Sequence, residues 1–120
     1  MYYVRVEADF AAAHFLSHYH GKCERLHGHN YLVRAWAKGE SLDEGGMVLD
    51  FGELKAALRQ VTGELDHRNL NDFPVFGEDP SAERIARHIF DSILALLPDA
   101  PLHAVEVFET PTSMARYERD

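Results

Sequence analysis

Two stretches of the chain alternate apolar and polar residues, and two others repeat with a helical period. In residues 2–13, Val4, Val6, Ala8 and Phe10 alternate loosely with Tyr3, Arg5, Glu7 and Asp9. That pattern predicts a strand with one face in the core. It runs into Ala11-Ala12-Ala13-His14, small side chains that let another backbone or a ligand come close. In residues 27–38, Tyr31, Val33, Ala35 and Ala37 share a face with His29, and Leu32, Arg34, Trp36 and Lys38 take the other. Residues 15–26 hold Ser17, His18, His20, Gly21 and Lys22 and read as a loop. A strand-loop-strand path of this length predicts antiparallel pairing.

Residues 39–49 are rich in glycine and carboxylates and form a second loop. Asp50 can cap a following helix, with Glu53 at the capping-box spacing. Phe51, Leu54, Leu58, Val61 and Leu65 make its apolar stripe, and Gly63 predicts fraying near its end. Residues 66–80 are a polar connection. Pro80 suits the first turn of a second helix, whose stripe is Ile85, Ile89, Ile93 and Leu96 or Leu97, and which stops at Pro98. Residues 102–109 and 113–118 read as strands separated by Thr110-Pro111-Thr112. The predicted fold is α+β, strand-strand-helix-helix-strand-strand, with two helices on one face of a four-stranded antiparallel sheet. A chain of 120 residues predicts one domain over 1–120. The open sheet edges are pairing hazards, so neighbouring subunits are expected to continue the sheet.

Charge and composition narrow the function. Net charge is −8, unevenly spread: residues 1–40 carry five Lys/Arg and four Asp/Glu, whereas residues 41–120 carry seven and sixteen. Nucleic-acid binding needs a basic face, so it is not expected. A small anionic substrate remains compatible with the near-neutral first third. No stretch approaches the ~20 apolar residues of a membrane span. The first residues lack the basic and apolar regions of a secretory signal. The single cysteine permits no internal disulfide, which suits a reducing, cytoplasmic location.

The chemistry gathers in Cys23-Glu24-Arg25-Leu26-His27-Gly28-His29. On a strand, His27 and His29 share one face with Cα atoms about 6–7 Å apart, close enough to tilt onto one metal ion. Gly28 adds no side chain to the opposite face. Five of the eight histidines fall between residues 14 and 29, and His18/His20 has the same spacing. That pair sits in a loop, whereas His14, at the end of the first strand, is the natural third ligand. Three histidines leave a fourth position open, as catalytic sites do; Cys23 in that position would close the site and make it structural. Off the metal, a Cys23 thiolate could act as a general base. Asp66-His67 at a helix exit is either a turn device or a relay partner for Cys23. Glu109-Thr110 ends the third strand, where a carboxylate can accept two hydrogen bonds from a planar N–C–N edge such as that of a pterin or guanine.

Taken in order, these segments resemble the 6-pyruvoyltetrahydropterin synthase family, which includes bacterial 6-carboxytetrahydropterin synthases of the queuosine route. The resemblance rests on Phe10-Ala11-Ala12-Ala13-His14, Gly21-Lys22-Cys23, Leu26-His27-Gly28-His29-Asn30-Tyr31 and Gly46-Met47-Val48-Leu49-Asp50-Phe51. It continues through Leu65-Asp66-His67-Arg68-Asn69-Leu70-Asn71, Pro80-Ser81-Ala82-Glu83 and Glu109-Thr110. It implies a tunnelling fold, in which subunits join their sheets into a barrel, commonly as homohexamers of two stacked trimers with active sites at subunit boundaries. It implies zinc on His14, His27 and His29, Cys23 as the base, and Asp66 and His67 as its relay. Glu109, with Thr110 beside it, would anchor the pterin of 7,8-dihydroneopterin triphosphate. Lys22 and Arg25 are candidates for the triphosphate.

The expected product is 6-carboxy-5,6,7,8-tetrahydropterin, with acetaldehyde and triphosphate released. The three residues between Cys23 and His27 resemble the short loop of the carboxy-forming branch. Two other outcomes belong to the same family. One is 6-pyruvoyltetrahydropterin. The other is 6-hydroxymethyl-7,8-dihydropterin, whose makers carry a glutamate where this chain has Glu24. A non-catalytic zinc- or pterin-binding assembly protein is the alternative outside enzymes.

Overall fold

The computed structural model describes residues 1–17, 25–77 and 79–119. Strands β1 (Tyr2–His14) and β2 (His27–Gly39) pair antiparallel along their whole length, from Tyr2 opposite Gly39 to His14 opposite His27. Helix α1 (Phe51–Leu65) follows, then a two-residue strand β3 (Arg68–Asn69) and two short 3₁₀ turns at Leu70–Asp72 and Pro74–Phe76. Helix α2 (Ala82–Leu96) and strands β4 (Leu102–Thr110) and β5 (Ser113–Glu118) complete the chain. The sheet order is β3-β1-β2-β4-β5.

Alternation decides which side chains enter the core. Tyr31, Val33, Ala35 and Ala37 of β2 are fully buried, with Val6 and Phe10 of β1 and Val105 and Val107 of β4. Phe10 stacks on Tyr31 at 4.8 Å between ring centroids. Leu54, Leu58, Val61 and Leu65 of α1 and Ile85, Ile89 and Ile93 of α2 close the core from one side. Burying each such side chain contributes roughly 1.5–3 kcal/mol. Two expected members of the stripes stay out: Phe51 is 54% exposed and Leu96 40%. Each stands at the outermost turn of its helix, beyond the residues that face the sheet.

The Asp50 side chain caps α1 by accepting from the Gly52 N–H at 2.8 Å, and the helix runs through Gly63 to Leu65 without breaking. Helix α2 begins two residues later than Pro80 suggests. Ser81 is its cap and accepts from the Arg84 N–H. A serine oxygen satisfies one of the free N–H groups of the first turn, whereas proline only lacks one. Pro80 therefore lies just before the helix.

The fifth strand was not anticipated. β3 runs parallel to β1, pairing Arg68 with Ala12 and Asn69 with Ala13. Two residues are too few to show an apolar alternation. The pairing is set by polar contacts instead: Asp66 Oδ1 accepts from the Ala11 N–H at 2.9 Å, and the His67 N–H donates to the Ala11 carbonyl at 2.6 Å. On the face away from the helices, charge is neutralised locally. Trp36 and Arg116 both donate to the largely buried Glu106, at 2.6 and 2.9 Å, and Arg34 donates to Glu7 at 2.8 Å.

Candidate metal centre and active site

The end of β1 and the start of β2 bring three histidines together. His14 and His27 form the last rung of the β1–β2 ladder, and alternation places His29 on the same face. Their ligand nitrogens lie within 4.8 Å of one another. His14 is fully buried, and the other two are half-buried. His14 Nδ1 lies 2.8 Å from the Pro80 carbonyl, and His27 Nδ1 lies 2.7 Å from the Arg25 carbonyl. A carbonyl can only accept, so each Nδ1 carries the proton and each Nε2 keeps its lone pair. Those two Nε2 atoms face each other at 3.0 Å. Two lone pairs so placed repel unless a cation lies between them. His29 Nε2 is buried and finds no hydrogen-bond partner among the described residues. Burial holds the His29 pKa below its ordinary value, against the opposing pull of Glu109. Three neutral imidazoles with their lone pairs converging, two of them oriented by backbone carbonyls, fit a divalent metal such as zinc.

Glu109 stands at the end of β4, beside this cluster. One carboxylate oxygen is 4.0 Å from His14 Nε2 and the other 3.9 Å from His29 Nε2. It also lines a cleft with Ser81, Ala82 and Glu83 of the α2 start and Met114 of β5. The carboxylate therefore joins the histidines to a cavity able to admit a flat polar molecule. Tyr31 lies under the histidines, its ring edge-on to His14 and His29 at 6.0 and 5.5 Å. Its hydroxyl is buried without a partner among the described residues, and burial raises its pKa.

Asp66 and His67 pack against the other side of β1. Asp66 Oδ2 is 2.8 Å from His67 Nδ1, and His67 is 82% exposed. His67 has a positive φ of 58°, an uncommon conformation for a non-glycine residue. His67 and His29 line one groove with Ala12 and Gly28. The Asp66 pKa is lowered first by the Ala11 N–H bond, then by the His67 hydrogen bond. A carboxylate favoured in the folded state stabilises above the ordinary aspartate range, and that contribution is lost as pH falls through the lowered value. Asp66→Asn is accordingly expected to flatten the fall in melting temperature of the metal-free protein below about pH 4. Thermal melts of both proteins from pH 3 to 7 test this. Parallel curves would remove Asp66 as a source of the acid dependence.

The remaining site expectations fare differently. Cys23, Glu24, Lys22 and the rival pair His18/His20 lie outside the described residues. Arg25 is exposed, and its carbonyl holds His27. The Thr110 hydroxyl accepts from the Thr112 N–H at 3.3 Å in the β4–β5 turn. His88 packs edge-on to Phe76, and His103 meets Glu118 at 3.4 Å. The sequence reading missed the two orienting carbonyls, which no side-chain pattern reveals. It also assigned no role to Tyr31, although alternation from His29 already placed it beneath the metal ligands.

Fold and site describe a small α+β enzyme with a candidate three-histidine metal centre. The family model described as 6-pyruvoyl tetrahydropterin synthase matches residues 3–120, and the chain belongs to that family. It is 46% identical over 125 residues to a 6-carboxy-5,6,7,8-tetrahydropterin synthase of Synechocystis sp., covering 98% of this chain and 93% of that protein. It is 38% identical to a 6-carboxy-5,6,7,8-tetrahydropterin synthase of Bacillus subtilis, covering 92% and 81%. The human 6-pyruvoyl tetrahydrobiopterin synthase is 36% identical, covering 82% and 71%. The solved 6-pyruvoyl tetrahydropterin synthase of Caenorhabditis elegans superposes with a TM-score of 0.85 at 30% identity, covering 100% and 98%.

Proposed function

We propose that this protein is a zinc-dependent lyase that converts 7,8-dihydroneopterin triphosphate to 6-carboxy-5,6,7,8-tetrahydropterin, releasing acetaldehyde and triphosphate. The observation that carries the metal reading is the pair of carbonyl-oriented imidazoles, His14 and His27, whose Nε2 atoms face each other at 3.0 Å with His29 alongside. Likeness to two 6-carboxy-5,6,7,8-tetrahydropterin synthases, at 46% and 38% identity, supports this product over the pyruvoyl one. Incubation of pure protein with the substrate, followed by mass spectrometry, separates the three family products. Absence of both triphosphate and acetaldehyde would refute the proposal.

In this reading His14, His27 and His29 hold the zinc. When bound, it supplies a Lewis acid able to stabilise negative charge on a substrate oxygen. Glu109 accepts two hydrogen bonds from the N–C–N edge of the pterin and orients it over the histidines. Cys23 takes the proton from the side-chain carbon next to the ring, and the ring accepts the electrons as triphosphate leaves. Asp66 holds His67 through Nδ1, leaving Nε2 to receive a proton from Cys23. Glu24 is the residue on which cleavage to 6-hydroxymethyl-7,8-dihydropterin would turn, and Thr110 contributes by shaping the turn beside Glu109. Glu109→Gln keeps one acceptor but loses the charge. It is expected to lower kcat/KM by about 10- to 100-fold, the worth of a hydrogen bond to a charged group, with metal content unchanged. Steady-state kinetics beside metal analysis check this, and loss of metal would recast Glu109 as a ligand.

The active assembly in this proposal is a homohexamer with sites at subunit boundaries. Two observations support it: the β1 edge is unpaired from Tyr2 to Ala11, and His67 is largely exposed. A monomeric mass in solution at micromolar concentration would count against it. A cytoplasmic location goes with the reading. Among the described residues, no helix is long and apolar enough to cross a membrane.

A further inference from the structure

We propose that Asn71 is a positioning residue for His14, an inference that rests on the three-histidine metal reading. The Asn71 side-chain amide pairs with Phe15 as a neighbouring strand would. Its Oδ1 accepts from the Phe15 N–H at 2.8 Å, and its Nδ2 donates to the Phe15 carbonyl at 3.0 Å. The residue directly after His14 thus has both backbone polar groups held by one side chain. This occurs where the strand partner has run out, because β3 pairs only Ala12 and Ala13.

The amide is itself anchored. The Asn71 N–H donates to Asn69 Oδ1 at 3.1 Å, and Asn69 is paired to Ala13. On the far side, the Ser17 N–H and hydroxyl both donate to Asp79 Oδ1, at 2.6 and 2.8 Å. The next residue, Pro80, accepts from His14 Nδ1. His14 is therefore steered twice by the same connection: at its ring by Pro80, and at its backbone by Asn71. Removing the amide returns the Phe15 peptide to water and frees the Cα–Cβ direction of His14. Aspartate restores the acceptor but not the donor, and alanine restores neither.

The test compares wild type, Asn71→Ala, Asn71→Asp and the stability control Thr62→Ala, whose buried hydroxyl bonds only the Arg59 carbonyl within α1. Each protein is stripped of metal and titrated with Co²⁺, whose visible absorption reports ligand geometry. Amide exchange at Phe15 is measured on the metal-free proteins. Asn71→Ala is expected to weaken Co²⁺ binding about 10- to 100-fold, as loss of a ligand-orienting partner does, to change the band shape, and to speed Phe15 exchange. Asn71→Asp should fall between. Thr62→Ala should lower the melting temperature and leave the Co²⁺ spectrum alone. Wild-type affinity and spectrum in Asn71→Ala overturn the proposal; if that variant does not fold, the same result in Asn71→Asp overturns it. A wild-type protein that takes up no Co²⁺ refutes the metal reading and this proposal together. Faster Phe15 exchange in the variants would then mark the clamp as purely structural.

Discussion

Replacing His14 with alanine is expected to empty the metal site and reduce turnover to background. His14 is fully buried and serves two purposes at once. Its Nε2 faces His27, and its Nδ1 is 2.8 Å from the Pro80 carbonyl. Alanine removes one of three ligands, opens a cavity at the end of β1 and leaves a buried carbonyl without its donor. The cavity and the lost hydrogen bond together cost about 2–4 kcal/mol of stability. The lost Lewis acid is a larger matter for catalysis. Several kcal/mol of transition-state stabilisation correspond to a rate loss of more than about 10³-fold. Metal analysis, melting and product formation are read together. Chelation of the wild type should reproduce the loss of activity without the packing defect, and zinc should restore the chelated protein but not the variant. A His14→Ala protein that retains one equivalent of zinc and measurable turnover would sink the three-histidine assignment.

His14 also illustrates what the sequence made legible. Its place as third ligand follows from two strands of alternating residues joined by a short loop, because antiparallel pairing brings the end of one beside the start of the other. The same alternation placed Tyr31, Val33, Ala35 and Ala37 in the core, where all four are fully buried. Helical period found both stripes and the Asp50 cap. These features persist because each is repeated over several residues, so a single exception such as the exposed Phe51 does not break the pattern.

What escaped the sequence is built from single contacts. β3 exists because Asp66 and His67 engage Ala11, and the chain beyond it is held by Asn71 at Phe15. No periodicity records a side chain standing in for a strand. The start of α2 presented two competing signals, Pro80 and Ser81, and the one that supplies an acceptor prevailed. That outcome leaves the Pro80 carbonyl outside the helix and available to His14. A small error in a helix boundary thus concealed one of the groups that orient the metal ligands.

Cys23→Ala is expected to retain zinc and lose turnover by about 10³-fold, within the range for removing a general base. Cys23 lies outside the described residues, so the expectation comes from the donor set around it. Three imidazoles already converge with their Nε2 lone pairs, and Glu109 stands within 4.0 Å of two of them. A fourth protein ligand would close the position that substrate must reach. A thiolate kept off the metal can instead pass its proton to His67, which Asp66 holds through Nδ1 at 2.8 Å. Because Cys23 is the only cysteine, its alkylation rate reports on that thiol alone. The wild-type rate should rise with a midpoint below the ordinary thiol pKa of about 8.5, and His67→Ala should shift that midpoint while leaving the zinc in place. Loss of zinc from Cys23→Ala would favour the closed, structural site. Full activity in Cys23→Ala would move the base elsewhere.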